Sequence, residues 1–282
     1  MEIRVENINY IYGQGTVFER RAIKDMSFQI HPSEFIAVIG HTGSGKSTLL
    51  QHLNGLIRAT SGHIYCDEQD IYDKKYDMKS LRSKVGLVFQ YPEDQLFEND
   101  IYSDVTFGPK NMGIVEPELY ERAKRALDIV GIDESLFYKS PLELSGGQKR
   151  RVAIAGVLAM QPDILILDEP TAGLDPKGRR EILERISSLH KENGTTVIMA
   201  SHSMDDVAEY ATRVMVIDDG ALVYDDTPQR VFAHSTELVS MGLDIPQMTH
   251  LADRLRSVGM NIPEGILTVD EAASEILREL GV

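Results

Sequence analysis

The sequence predicts an α/β fold: a parallel sheet covered on both faces, interrupted by a helical block and followed by a small helical appendage. Three observations carry this expectation. The runs Ile164–Leu167 and Thr196–Ala200 lack the polar alternation of a half-exposed strand, as strands buried on both faces do. A glycine-rich stretch, GHTGSGKS from Gly40 to Ser47, lies between the apolar run Phe35–Ile39 and a segment that reads as a helix from about Lys46. Residues 100–160 carry almost no strand signal and show helical patterns at Pro117–Val130 and Gln148–Met160.

Taken in order, β-rich runs are expected at Ile3–Tyr12, Ala22–Ile30, Phe35–Ile39, His63–Cys66 and Val85–Phe89. Three more follow at Ile164–Leu167, Thr196–Ala200 and Arg213–Ile217, and Ala221–Tyr224 pairs back across the Asp219-Gly220 turn. Asp175 as N-cap and Pro176 in the first turn start a helix over Pro176–His190. Near residue 235 the pattern changes. Thr268 and Glu271 form a capping box, and Val269, Ala272, Ala273, Ile276 and Leu280 make an apolar stripe suited to core or to a subunit contact. The expected division is therefore 1–235, with a helical subdomain at about 91–160, and an appendage at 236–282.

The chain of 282 residues is long enough to bury a sizeable core. Its formal net charge of −15 argues against a surface that tracks a nucleic-acid backbone, so no nucleic-acid partner is expected. Cys66 is the only cysteine, which suits a reducing compartment and allows no internal disulfide. The eight histidines show no metal-ligand spacing. The first residues read as a strand, not as a targeting signal, and no apolar stretch approaches the ~18 residues that span a bilayer. A membrane role is expected to come through a partner.

The chemistry centres on Gly40–Ser47. Gly40, Gly43 and Gly45 let the backbone curl so that its N–H groups line a cavity for anionic oxygens. The helix N-terminus, with Ser44 and Thr48, adds donors and partial positive charge. Lys46 is expected on the β/γ-phosphates and Ser47 on Mg²⁺. Asp168, at the end of a buried run, is expected to hold Mg²⁺, and Glu169 to orient or deprotonate the attacking water. Gln90, after Val85–Phe89, is placed to reach Mg²⁺ or that water, or to face solvent. His202, after Thr196–Ala200, caps a strand end or bonds the γ-phosphate. Asp175 serves the nucleotide, the helix start, or both. Ser145, Gly146, Gly147 and Gln148 open the next helix and form a second anion-binding turn.

One nucleotide does not need two such turns. The set GHTGSGKST, Gln90, LSGGQ at 144–148, ILILDEP at 164–170, Gly173-Leu-Asp175 and His202 resembles the nucleotide-binding subunits of ABC transporters across roughly residues 1–235. The resemblance implies a P-loop ABC ATPase: a RecA-like parallel-sheet core, an antiparallel β subdomain and an inserted helical signature subdomain. It implies ATP and Mg²⁺ as ligands, and two such domains facing head to tail. ATP then lies between the phosphate loop of one and Ser145–Gln148 of the other. It also places Tyr12 against adenine, with Tyr10 and Phe18 as competitors because Gly13–Arg20 resembles an insertion.

Three stretches resemble a subgroup: Gln90–Phe97, Asp104–Gly113 and Gly147–Gly156 are similar to the ATPases of energy-coupling factor transporters, relatives of cobalt-importer ATPases. The segments Val17–Ala22 and Gly242–Pro246 look like the second of the two paired ATPases. That resemblance implies a distinct second ATPase chain, a transmembrane coupling protein gripped near Tyr91–Phe97, and a small membrane-embedded substrate-binding subunit. It places the chain at the cytoplasmic membrane face, with vitamins or metal ions as cargo. Glu93 and Asp94 would meet basic residues of the docking partner or remain solvated. An ordinary ABC importer with a soluble binding protein would use the same chemistry. A non-transport ATPase acting on DNA or ribosomes would call for tandem cassettes, long heptads or a basic face.

Overall fold

A computed structural model describes residues 1–281. The described residues form two sheets. Strands β1 (Ile3–Tyr12), β2 (Arg20–Ile30), β4 (Ser61–Cys66) and β5 (Gln69–Asp70) make an antiparallel sheet in the order β2-β1-β4-β5. Strands β3 (Phe35–Ile39), β6 (Val85–Val88), β7 (Ile164–Asp168), β8 (Thr196–Ala200), β9 (Arg213–Asp218) and β10 (Ala221–Asp226) make the second, in the order β10-β9-β3-β8-β7-β6. All neighbours there are parallel except the edge strand β10.

Every residue of β3, β7 and β8 is buried, which is why their sequences lack alternation. Their side chains still alternate between the two faces of the sheet. Ile164 and Ile166 join Ile36, Val38 and Ile198 under the antiparallel sheet, against Ile3, Val5 and Ile8. Leu165 and Leu167 join Phe35, Val197 and Met199 on the opposite face, against Val105, Leu127, Val152 and Leu183. The first core includes Leu49 and Leu50 of α1 (Lys46–Leu53), so the helix that follows the phosphate loop is held between the two sheets.

The helical block comprises α3 (Ile101–Asn111), α4 (Glu118–Val130) and α5 (Gly146–Leu158), with α2 (Met78–Lys84) leading into β6. Helix α3 runs through Gly108-Pro109 although Pro109, in its last turn, has no N–H to give the i−4 carbonyl, and the Asp100 carboxylate accepts from Ser103 N at 2.8 Å to start it. Helix α6 (Pro176–Asn193) runs from the predicted Asp175 cap to Gly194.

The described residues at the C-terminal end fall into two apolar clusters. Helices α7 (Met204–Tyr210), α8 (Pro228–Ala233) and α9 (Ser235–Ser240) lead into a stretch whose Leu238, Leu243 and Ile245 pack on Val214, Val216, Val231 and Phe232 of the sheet side. A separate small cluster of Ala252, Ile262, Ile266 and Ala272 begins only with α10 (Gln247–Ser257) and α11 (Val269–Leu280). The capping box forms, with Glu271 N donating to Thr268 Oγ1 and Thr268 N to Glu271 Oε2. Of the apolar stripe, Ala272 and Ile276 face this cluster, whereas Val269, Ala273 and Leu280 are exposed.

The parallel register sets the site. Val88 pairs with Leu167, and Asp168 and Val38 both pair with Ala200, so β3, β6, β7 and β8 deliver their carboxyl ends to one edge. Ligands of open α/β sheets bind there.

Candidate nucleotide site

The phosphate loop is built from glycines that its own chain requires. Gly43 and Gly45 have φ of 82° and 114°, a region L side chains rarely adopt. A Cβ on Gly45 would lie 2.6 Å from Ala22 O, and one on Gly40 2.3 Å from Ile217 O. The loop is therefore pressed against its neighbours and turns its open side outward. The Lys46 ammonium, buried at the start of α1, donates to Gly40 O at 2.6 Å and His41 O at 3.0 Å. Burial pulls its pKa below the ordinary lysine value, against the opposing effect of Glu169 and Asp168.

Asp168 ends β7 in a nearly closed setting. Burial pushes its carboxyl above the ordinary aspartate range; the Ser47 hydroxyl pulls the other way, the Glu169 charge adds to the rise, and Lys46 and His202 oppose it. Glu169, one residue on, has φ 52°, a positive value that costs a non-glycine residue about 1 kcal/mol or more. That turn swings its side chain out of the sheet. There His202 Nε2 lies 2.8 Å from Glu169 Oε1, and Gln90 Nε2 donates to Glu169 Oε2 at 3.1 Å. Both carboxylate oxygens are thus held from separate strand ends.

Lys46, Gln90, Glu169 and His202 share a cleft of about 420 Å³ with Tyr12, Gly43, Gly45, Ser47 and Thr48, and Asp168 is not among its lining residues. The Tyr12 hydroxyl is 3.1 Å from Thr48 Oγ1, and its ring stays partly exposed over the cleft. Of the competing aromatics, Tyr10 turns its ring edge to His52 and packs on the core, and Phe18 stands exposed at the loop between β1 and β2. Arg20 was missed by the sequence reading. Its guanidinium donates to Gly43 O at 2.9 Å and lines the same cleft, and nothing local to a β-hairpin arginine signals that.

The residues present fit a nucleotide with Mg²⁺. A curled loop that any Cβ would distort, a buried Ser44 hydroxyl with no hydrogen-bond partner, and a serine hydroxyl beside a buried carboxylate supply donors for phosphate and few protein ligands for a metal. Mg²⁺ usually takes one or two carboxylates and keeps water and phosphate oxygens, so no cluster of three acidic or histidine ligands is needed.

The signature turn lies elsewhere. Ser145 caps α5: its Oγ accepts from Gln148 N at 3.3 Å, and Gln148 Oε1 accepts from Ser145 N at 3.0 Å. None of Ser145, Gly146, Gly147 or Gln148 lines the phosphate-loop cleft. A Cβ on Gly146 would meet nothing within 4 Å, and one on Gly147 only Leu174 Cδ2 at 3.7 Å. Asp175 also stays out of the cleft and accepts from Gly178 N at 2.7 Å, as a helix cap does. The expectation for Glu93 changes: it turns inward to Arg150, leaving Asp94 on the outside.

The profile of the ABC transporter family matches residues 23–172. The energy-coupling factor transporter ATP-binding protein EcfA2 of Clostridium tetani is 56% identical over 279 residues, covering 99% of this chain and 97% of that protein. The chain belongs to the ABC transporter family, among the ATP-binding subunits of energy-coupling factor transporters. The protein of the same name from Enterococcus faecalis is 47% identical over 283 residues, covering 99% and 98% of the two chains. Among solved structures, cbiO1 of Clostridium perfringens, described as part of the ABC transporter complex cbiONQ, superposes with a TM-score of 0.74 at 42% identity, over 89% of this chain and 98% of that one. A dimeric ATP-binding cassette in a post-hydrolysis state with ADP and Pi gives 0.72 at 29% identity, over 80% and 98%. The ABC ATPase fold and the ATP-hydrolysing role in an importer of this type follow. Among the described residues no helix is long and apolar enough to cross a membrane.

Proposed function

We propose that this chain pairs head to tail with a second, distinct ATPase chain, and that each ATP is enclosed by the phosphate loop of one and the signature turn of the other. The single observation that supports this reading is the outward-facing turn Ser145–Gln148, whose glycines answer to no crowding within their own chain. In the closed site built on this chain's phosphate loop, Lys46 and the loop amides bind the phosphates, Tyr12 faces adenine, and Ser47, Gln90 and Asp168 would hold Mg²⁺. The cation supplies positive charge against the phosphate oxygens. Glu169, fixed by His202 and Gln90, orients the attacking water and takes up its proton.

The partner in the membrane docks on an apolar groove of about 550 Å³ between core and helical block, lined by Leu87, Leu96, Phe97, Phe107, Met112 and Met160. We assign it to a transmembrane coupling protein that carries a small membrane-embedded substrate-binding subunit, at the cytoplasmic face, with vitamins or similar micronutrients as cargo. Purification of this chain from detergent-solubilised membranes tests the assignment. Recovery with a second ATPase and two membrane subunits is expected; recovery with a soluble substrate-binding protein instead would place it in an ordinary importer.

A further inference from the structure

Arg150 sits one turn into α5, two residues beyond Gln148, and is 2% exposed. A buried guanidinium needs partners for its N–H groups, and their identity shows what it serves. Its Nε and Nη2 donate to the two carboxylate oxygens of Glu93 at 3.0 and 2.7 Å, a bidentate pair. Its Nη1 donates to the carbonyl of Ala172. Ala172 N in turn donates to Glu169 O at 3.2 Å, closing the turn that follows the catalytic glutamate. One side chain therefore joins three segments far apart in sequence.

Glu93 belongs to a short helical turn, Pro92–Gln95, entered through Tyr91 at φ 55°. Pro92 and Gln95 of that turn line the apolar groove, and Glu93 does not. The turn thus shows one side to the groove and the other to Arg150. Glu93 also lies three residues after Gln90, which holds Glu169 directly.

We infer that Arg150 is a positioning residue: its bidentate grip on Glu93 and its bond to Ala172 link the groove-side turn to the signature turn and to the segment behind Glu169, so that a helix docked in the groove moves both together. This rests on the docking assignment above and adds the path by which docking reaches the ATP sites. Hydrogen bonds of a planar, five-donor fork fix orientation as well as distance, which a lysine at this position does not reproduce.

The test uses the whole importer complex in proteoliposomes. Two variants are compared with wild type: Glu93→Gln, which removes one charge at nearly constant shape, and the double variant Glu93→Gln/Arg150→Met, which removes both charges and leaves none buried alone. Co-purification, ATP hydrolysis and substrate uptake are measured on each. The expected result is an intact complex whose hydrolysis stays within about twofold of wild type while uptake per ATP falls about tenfold or more, in both variants; a third, Arg150→Lys, should lose uptake per ATP as well. Uptake per ATP equal to wild type in the double variant overturns the inference, as does a loss of uptake strictly proportional to a loss of hydrolysis. A variant complex that falls apart where wild type holds makes the pair a docking element and likewise overturns it. Failure of the wild-type chain to bind any membrane subunit would instead reject the docking assignment.

Discussion

The phosphate loop and the signature turn are both glycine-rich helix starts, yet their glycines answer to different neighbours. At Gly40 and Gly45 a methyl group would collide with backbone carbonyls of β9 and β2, at 2.3 and 2.6 Å. At Gly146 it would touch nothing. The first loop is shaped from within, by the sheet that holds it. The second has room to spare and an ordinary helix cap, so any need for small residues there comes from a body outside the chain. The hydrogen bonding agrees: Lys46 and Glu169 are both held by groups of their own chain, whereas Ser145 and Gln148 satisfy only each other.

The largest effect expected falls on the inner site. Glu169→Gln should lower ATP turnover by about a hundred- to ten-thousandfold while leaving ATP affinity near wild type, measured by single-turnover hydrolysis and equilibrium nucleotide binding. Turnover close to wild type would remove Glu169 from the chemistry.

The two glycine sets should then separate in stability. Gly45→Ala is expected to destabilise the isolated chain by about 2 kcal/mol, through a collision and a φ of 114° that alanine resists. Gly146→Ala should be neutral or stabilising by about 0.5 kcal/mol, since it adds a better helix former in open space. Chemical denaturation of the two variants gives the comparison directly, and equal losses would erase the distinction between the loops.

The smallest effect is a gain. Burial raises the Asp168 carboxyl above the ordinary aspartate value, so the folded state holds that proton more tightly than the unfolded chain. The protonated form stabilises fully below the unfolded value, and this contribution is lost as pH climbs through the raised one. Near neutral pH without Mg²⁺ the buried charge is a cost. Asp168→Asn should therefore raise Tm by about 2–4 °C at pH 7 in the absence of Mg²⁺ and nucleotide. The gap should close on acidification as the wild-type carboxyl takes its proton, and hydrolysis should be lost. A lower Tm for Asp168→Asn at pH 7 would contradict the burial cost.

Much of this was legible in the sequence because the information was local. β3 and β8 begin and end where their unbroken apolar runs do, and the phosphate loop, Asp168-Glu169 and the Ser145 cap each lie within a few consecutive residues. What stayed hidden depends on distant partners. Arg150 and Glu93 are 57 residues apart, Arg20 and Gly43 are 23 apart, and neither arginine stands out from an ordinary surface cation by its neighbours. Helix α3 has no separate bounds in the sequence reading of the helical block, and it is packing of Ile101 and Val105 into the core that fixes it. The packing of Leu238, Leu243 and Ile245 on the sheet side was likewise not legible, because these residues show no period that separates docking on a sheet from independent folding.

The central claim is that neither ATP site is complete within one chain, and titration against the partner ATPase tests it most directly. This chain, at fixed low concentration, is mixed with increasing amounts of its paired ATPase, and ATP turnover is followed with wild type and with Gly147→Asp. Turnover should rise with the partner and saturate, and Gly147→Asp should remove the share of that rise that comes from ATP on the partner's phosphate loop while this chain's own affinity for ATP is retained. Turnover by this chain that is full without a partner, and indifferent to Gly147→Asp, would contradict the account.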